Sequence, residues 1–227
     1  MKYISIVGAS LLHGIARLAE SLLRCLEREA ISKFREASPR HDENAYSVSI
    51  CVLIVASVES AVTRFRYLSE GLEFTPGSAF NWLGESFPEK KVVADELAFI
   101  RGSILHNHLY ELEQAHDDGT FDLENIKKRH ASGDGKYEKL ADADTQRTRL
   151  LKINVIPSQV RMSDAIRVLN ASLDLIGIME EKSDGRLSFV DTHVELNGKS
   201  GLTLERLISQ LTERLLAYDP LYASDLV

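Results

Sequence analysis

One arginine and two histidines lie close together in the stretch IRGSILHNHLYEL, which runs from Ile100 to Leu112. A histidine, with an ordinary pKa near ~6.5, can both take up and release a proton at neutral pH. The guanidinium of an arginine presents two parallel N–H donors to a phosphate and stabilises negative charge that develops there. Arg101, His106 and His108 therefore offer what RNA cleavage without a metal ion needs, a proton carrier and a fixed cation.

The apolar residues of this region recur at helical spacing, at Val93, Leu97, Ile100, Ile104 and Leu109. They predict one helix from Val92 to about Gln114, with the motif in its middle. On a regular helix Arg101 and His106 are about 7.5 Å apart along the axis and about 140° apart around it, whereas His108 shares the face of Arg101. A distorted turn at Gly102 and Ser103, or a two-fold dimer, would be needed to bring Arg101 and His106 to one phosphate.

The competing interpretation is structural, since an arginine and a histidine can also cap helices, bridge them or line a dimer interface.

Two other motifs fail on geometry or spacing. His106-Asn107-His108 spells HNH, but that nuclease class takes these residues from separate positions of a metal fold, and on a helix the two histidines point about 200° apart. Asn197-Gly198-Lys199-Ser200 ends like a phosphate-binding loop, yet His193 stands where that loop needs a glycine. The sequence predicts no metal site and no cofactor.

Two long helices are predicted before this region. Leu11–Phe34 has apolar residues at a period of 3.6, and Ala45–Leu68 is apolar nearly all round in its middle, so the second helix should be central and buried. Glu59 is a carboxylate inside that apolar run. The simplest structural expectation for Glu59 is that it lies at the edge of the helix, where its carboxylate reaches solvent or pairs with a nearby arginine such as Arg64 or Arg66.

The remaining elements follow from shorter patterns. The segment SAFNWLGESF (78–87) predicts a short helix, Ser163 is expected to cap a helix that has Asp164 in its first turn, and residues 202–218 predict a final amphipathic helix. The alternation in RLSFVDTHVELNGKSG, with Asn197-Gly198 as the turn, predicts one small strand pair. The chain is therefore expected to be one mostly helical domain over residues 1–227.

Residues 115–157 differ in character from the rest of the chain. They are mostly polar, and from Lys127 to Lys152 eight Lys and Arg residues stand against four Asp and Glu, a local charge of +4. The stretch is expected to be an insertion or flexible loop with mild basic character that ends in a short extended piece at Pro157, and a solvated loop is the simplest interpretation of its charge.

Composition excludes some classes of function. The 227 residues carry a net charge of −7, so there is no global basic surface for nucleic acid and any such contact must be local. The longest apolar run, Ile50–Ala56, is far shorter than the ~20 residues of a membrane span. Cys25 and Cys51 lie in apolar stretches, which predicts buried free thiols in a reducing compartment. A cytoplasmic protein with no membrane contact is expected.

The stretch from Arg101 to His108 resembles the signature of the HEPN superfamily, Arg-x(4–6)-His, in which I-x-H-N/G follows an arginine on an apolar helix. The matching residues are Arg101, Ile104, Leu105, His106, Asn107 and His108. The order of elements is also similar, with an amphipathic helix first, a buried helix carrying Glu59 second and the motif on a later helix. The resemblance covers 10–115 and 160–218, and some plasmid- and phage-defence-associated members carry a closely similar run.

This resemblance implies an all-α HEPN-like helical bundle that dimerises and cleaves RNA without a metal ion, leaving a 2′,3′-cyclic phosphate. It implies catalytic roles for Arg101 and His106, supported by Asn107, His108 and Glu59. RNA, a second copy that completes a composite site, and an antitoxin protein are the implied partners of such a toxin or defence effector. The family usually has a polar residue, often Asn, where this chain has Gly102, which concerns catalysis more than the fold. The alternative is a non-catalytic HEPN-like module that binds RNA, a nucleotide or a protein, and a helical scaffold without a ligand comes third.

Overall fold

The computed structural model describes residues 7–29, 41–71, 79–105, 109–114, 121–130, 135–184, 187, 193–196 and 199–218. These residues form seven α-helices and three pairs of short antiparallel strands. The predicted all-α class with a small antiparallel β element is confirmed. The helices are α1 (Val7–Glu29), α2 (His41–Glu70), α3 (Ala79–Ser86), α4 (Lys91–Leu105), α5 (Gly135–Leu140), α6 (Met162–Lys182) and α7 (Leu204–Tyr218).

The strands pair only with their neighbours in sequence. The three pairs are β1 (Leu109–Gln114) with β2 (Phe121–His130), β3 (Ala141–Asp142) with β4 (Arg147–Thr148), and β5 (His193–Leu196) with β6 (Lys199–Thr203). The third pair is the one predicted from the alternating sequence before the last helix, whereas no sequence pattern indicated the other two. Its turn, Asn197-Gly198, lies outside the described residues.

The centre of the fold is α2, as its apolar middle predicted. It packs against α1 on one side and α6 on another, and α4 lies across its second half. Ile50, Ile54, Val58 and Val62 are fully buried along it. Among the described helices, α2 alone is long and apolar enough to allow a membrane span by length and composition, and half of its most apolar window is buried inside the protein. A core helix of a folded domain passes the same test.

An aromatic cluster connects α2 to the chain just before α4. The ring centroid of Phe65 lies 5.8 Å from that of Trp82 and 6.4 Å from that of Phe87. Such tilted contacts add to the apolar area that the three rings remove from water. They hold the C-terminal half of α2 against α3 and the start of α4, and so help to set the position of α4.

Two buried carboxylates hold the irregular segment that precedes α6. The side chain of Glu96, on α4, is fully buried and accepts the backbone N–H groups of Leu150 at 2.7 Å and Leu151 at 2.8 Å. Asp164 accepts the N–H groups of Arg161 at 2.9 Å and Asn154 at 3.2 Å. A buried carboxylate is tolerated when its oxygens are hydrogen-bonded in this way, and the segment gains fixed attachment points in return.

The start of α2 completes these attachments. Glu43 accepts the N–H of Met162 at 3.1 Å, and the amide of Asn44 donates to the carbonyls of Pro157 at 2.8 Å and Val160 at 3.0 Å. The entry to α6 is therefore tied directly to the beginning of α2. These bonds join residues more than 110 positions apart in the chain, so no local pattern could have predicted them.

The segment expected as an insertion or flexible loop, 115–157, contributes to the core in part of its described length. Five of its apolar residues are at most 7% exposed: Leu140, Ala141, Ile153, Val155 and Ile156. They are separated in sequence by polar turn residues, so the high average polarity of the stretch did not indicate that they would be buried. Residues 115–120 and 131–134 lie outside the described residues.

Three finer predictions were wrong. The helix expected to reach Gln114 ends at Leu105, and β1 takes over at Leu109 because its backbone pairs with β2, a partner that helical periodicity does not register. Helix α6 begins with Arg161 as its N-cap rather than Ser163, and Asp164 accepts the Arg161 N–H from the third helical position. Only one of the two thiols is fully buried.

The buried thiol is Cys51, whereas Cys25 is half-buried, and neither forms a disulfide. Burial raises the pKa of the Cys51 thiol, so it stays protonated at neutral pH and behaves as a small apolar side chain of the core. Cys51 therefore belongs to the packing of α2 and not to a reactive site.

Replacing Glu96 with alanine should lower the free energy of unfolding by about 2–4 kcal/mol, because two backbone N–H groups lose their acceptor. Urea unfolding followed by circular dichroism measures this loss. Asp95→Ala is the matched control, since its carboxylate only pairs with Lys91 one turn away at 3.1 Å and should cost about 0.5 kcal/mol or less. Equal losses in the two variants would contradict the role assigned to Glu96.

Candidate active site

Two of the residues singled out from the sequence meet in the structure. The guanidinium of Arg101, on α4, donates a hydrogen bond through Nη1 to Oε1 of Glu59, on α2. The Arg101 side chain is 30% exposed and that of Glu59 is 16% exposed. The ion pair therefore lies at the margin of the core, where solvent still reaches the guanidinium.

The neighbours of each residue explain this placement. Leu97 and Ile100 are fully buried on α4, and Val58 and Val62 are fully buried on α2, so both helices turn these apolar sides into the core. Arg101 and Glu59 lie at the edges of those buried stripes and face each other where the helices meet.

The ion pair agrees with the structural expectation for Glu59, which was a carboxylate that pairs with a nearby arginine. The arginine that bonds to the Glu59 carboxylate is Arg101, which is 42 residues away. Arg66 donates to Glu70 at 2.9 Å and lies over the ring of Trp82 at 5.5 Å. The packing of α4 against α2 makes the pair of Glu59 and Arg101 possible, because the two residues are far apart in the sequence and lie on different helices.

The remaining predicted site residues, His106, Asn107 and His108, lie outside the described residues. Helix α4 ends at Leu105, immediately before His106, and strand β1 starts at Leu109, immediately after His108. A single straight helix through the motif, on which the sequence-based angles between Arg101 and the two histidines depended, is therefore not present. Leu105 is 56% exposed, so the chain leaves the helix at the protein surface.

Two small residues after Arg101 have features that the sequence did not reveal. The hydroxyl of Ser103 is buried and has no hydrogen-bond partner among the described residues. A Cβ atom added to Gly102 would meet nothing within 4 Å. Close packing among the described residues therefore does not require the glycine, and a Cβ atom fits there without displacing a neighbour. Hydrophobic periodicity carries no signal for either feature.

Two other buried acids of the described chain, Asp164 and Glu96, have structural roles. Burial raises the pKa of Asp164, and the backbone N–H groups of Arg161 and Asn154 and the charges of Arg147 and Arg167 oppose this rise. Glu96 is occupied by two backbone N–H groups. Within the described ranges, no three His, Cys, Asp or Glu side chains are grouped so that they could hold a metal ion.

A groove of about 370 Å³ lies between α6 and α7. Its lining includes the carboxylates of Glu205 and Glu213 beside Asn170 and the apolar Leu173 and Ile208. Two carboxylates and no cation make this groove a poor site for a phosphate. The pair of Arg101 and Glu59 remains the arrangement best suited to anion chemistry that the sequence and the structure both indicate.

Comparison with known proteins adds no family to these observations. No protein-family model, no curated protein and no solved structure matches this chain.

The geometry of the pair defines what it can do. A guanidinium has five N–H donors, and the bond to Glu59 uses Nη1, so the remaining donors of this partly exposed side chain can bind an anion. The carboxylate restricts the rotamers of Arg101, which lowers the entropy lost when a ligand binds. The carboxylate also reduces the net positive charge of the pair. Glu59 would therefore aid anion binding by orienting the guanidinium and not by strengthening its attraction for the anion.

The coupling between Arg101 and Glu59 can be measured by a double-mutant cycle of Glu59→Ala and Arg101→Ala. We expect a coupling free energy of about 1 kcal/mol, larger than for exposed pairs because both side chains are mostly buried. Urea unfolding of the wild type, the two single variants and the double variant gives this value. A matching cycle on Lys91 and Asp95 should give about 0.5 kcal/mol or less, and equal couplings would show that the Arg101 contact is an ordinary surface pair.

Proposed function

We propose that this protein is a metal-independent endoribonuclease of the HEPN type, in which Arg101 binds the scissile phosphate and His106 transfers protons. The observation that carries the proposal is the bond between Arg101 and Glu59, which join two elements of the chain at a partly exposed edge of the core. This bond restricts the position of the Arg101 guanidinium, as a phosphate-binding group requires. The resemblance of residues 101–108 to the HEPN signature supplies the reaction type.

The proposed reaction is an internal transesterification. The 2′-oxygen attacks the phosphorus, the bond from phosphorus to the 5′-oxygen breaks, and the products are a 2′,3′-cyclic phosphate and a 5′-hydroxyl. One proton leaves the 2′-hydroxyl and one reaches the departing 5′-oxygen, which is the work of His106 together with a second proton carrier. Arg101 stabilises the additional charge on the phosphoryl oxygens, and Glu59 keeps its fork in place.

A second copy of the chain would supply the rest of the site. The proposal includes a homodimer with a composite cleft in which His106 of each copy serves one phosphate, with Asn107 and His108 as supporting groups. A cytoplasmic toxin or defence effector of this kind would be held inactive by an antitoxin protein.

A non-catalytic HEPN-like binding module is the second candidate. Two observations favour it, the net charge of −7 and Gly102, which stands where the family usually has a polar residue. In that case Arg101 would bind a phosphate of RNA or of a nucleotide without cleaving it.

The cleavage test uses the purified protein and a structured RNA in the presence of EDTA. The wild type should release fragments that end in 2′,3′-cyclic phosphate, and His106→Ala and Arg101→Ala should each slow cleavage by at least about 100-fold. His108→Ala, run in parallel, shows which histidine acts. His41→Ala is the matched control, because His41 is an exposed histidine at the start of α2, and it should cleave at the wild-type rate.

Each outcome of this test decides between the candidates. Cleavage that persists in His106→Ala and His108→Ala contradicts the proposed chemistry. Absence of cleavage by the wild type, with RNA binding that Arg101→Ala abolishes, replaces the nuclease by the binding module.

Gly102→Asn examines the departure from the family pattern. A Cβ atom at position 102 meets nothing within 4 Å among the described residues, and an amide next to Arg101 should raise the cleavage rate by several-fold. Gly102→Ala separates this effect from helix stiffening, because alanine should stabilise α4 by about 0.5–1 kcal/mol without adding a hydrogen bond. Equal rates for the alanine and asparagine variants would show that the polar group contributes nothing.

A further inference from the structure

Two guanidiniums converge on one backbone carbonyl in the turn that follows β4. Nη1 of Arg147 and Nη1 of Arg167 each donate to the carbonyl oxygen of Lys152 at 3.2 Å. Lys152 has a φ of 55°, in the left-handed region that costs a lysine conformational energy. The turn of residues 147–152 together with Arg167 is called the basic turn below.

A third arginine of the basic turn is held in the same manner. Nη2 of Arg149 donates to the carbonyl of Glu138 at 3.2 Å. Arg149 and Lys152 are exposed, and Leu150 between them is 53% exposed. The tip of the turn therefore presents two cations on either side of an apolar side chain.

The bonds that orient these arginines do not neutralise them, because a carbonyl oxygen carries no net charge. Five acids lie in or against this segment. Asp164 lies 3.7 Å from Arg167 but is buried and bonded to backbone N–H groups. Asp142 accepts the N–H groups of Thr145 and Asp144, which lower its pKa, and the charge of Arg149 lowers it further. Glu138 and Asp144 are exposed acids of the same segment. With Glu96, which bonds to the turn, residues 135–152, Arg167 and Asp164 sum to six basic and five acidic side chains.

The basic turn is fixed next to the candidate active site. Its residues Leu150 and Leu151 bond to Glu96, which precedes Arg101 by five residues on α4. That separation is about 7.5 Å along the helix axis and about 140° around it. A strand of nucleic acid bound at the turn would pass partly around α4 to reach Arg101, a path of a few nucleotides.

We infer that the basic turn binds the phosphate backbone of single-stranded RNA and leads it to Arg101. The inference rests on the proposed function for the destination of the strand, but its evidence is separate, namely the carbonyl-held arginines and the exposed tip. Single strands fit best because an unpaired base can rest on Leu150 while the flanking cations bind successive phosphates. Elsewhere the chain is acidic overall, with its net charge of −7, so the turn would orient the RNA as well as attract it.

Binding is measured separately from cleavage with a labelled 2′-O-methyl oligoribonucleotide, which has no free 2′-hydroxyl and cannot be cleaved by the proposed reaction. Fluorescence anisotropy over a range of salt concentrations gives the Kd and its salt dependence for the full chain. The test variant is Arg149→Gln/Lys152→Gln. The control, Arg206→Gln/Arg214→Gln, removes the same charge from exposed positions on α7. Thermal unfolding verifies that both variants fold.

The test variant should bind about 25-fold more weakly at 0.1 M salt, and the slope of log K against log salt should fall by about 1.4, since each single-strand phosphate contact contributes about 0.7. The control variant should retain the wild-type Kd. Inorganic phosphate at the same phosphate concentration should not displace the oligonucleotide, and a duplex should bind more weakly than the single strand.

The outcomes separate this inference from the proposed function. Equal weakening in the test and control variants, displacement by inorganic phosphate, or tighter binding of a duplex each overturns the assignment of the basic turn. If the test variant loses binding as expected while the wild type leaves unmodified RNA intact, the binding surface stands and the nuclease fails. If unmodified RNA is cleaved and the test variant binds normally, the nuclease stands and the basic turn is not its RNA surface.

Discussion

Buried carboxylates that must find hydrogen-bond donors organise much of this structure. Glu96 and Asp164 are removed from water, and each is compensated by backbone N–H groups of the segment between α5 and α6. An uncompensated buried charge would cost several kcal/mol, so the irregular segment and the two helices can only be stable together. This constraint joins α4 to the basic turn and places the entry to α6 against the core.

At the partly exposed edge of the core, a carboxylate is compensated by a charged side chain. The Glu59 carboxylate is paired with a guanidinium and not with backbone N–H groups. Because the Arg101 side chain remains 30% exposed, an anion from solvent can bind to the pair. A fully buried pair could not bind one, since a ligand would first have to break it. Glu96 and Asp164 therefore build the fold, whereas the partly exposed pair of Glu59 and Arg101 can serve a site.

Much of the helical framework could be predicted from the sequence, because burial of one helix face leaves a period of 3.6 in the apolar residues. The prediction held for α1, α2, α3, α6 and α7, and the alternation before α7 correctly indicated β5 and β6. It was wrong between Leu105 and Gln114, where LYEL satisfies a helical spacing and also pairs as a strand. Which pairing occurs depends on β2, a segment that no local window includes.

The residue types of the candidate site, an arginine followed by histidines after an apolar run, were determined by the sequence alone, as was the unusual carboxylate of Glu59 within the central helix. The tertiary structure decided that Glu59 and Arg101 are partners, because only the packing of α4 on α2 brings together groups 42 residues apart. It also decided that the polar segment before α6 is partly core and carries an ordered cluster of arginines. Side-chain types and periodicities are local properties of a chain, whereas the partner of a charged group depends on which elements pack together.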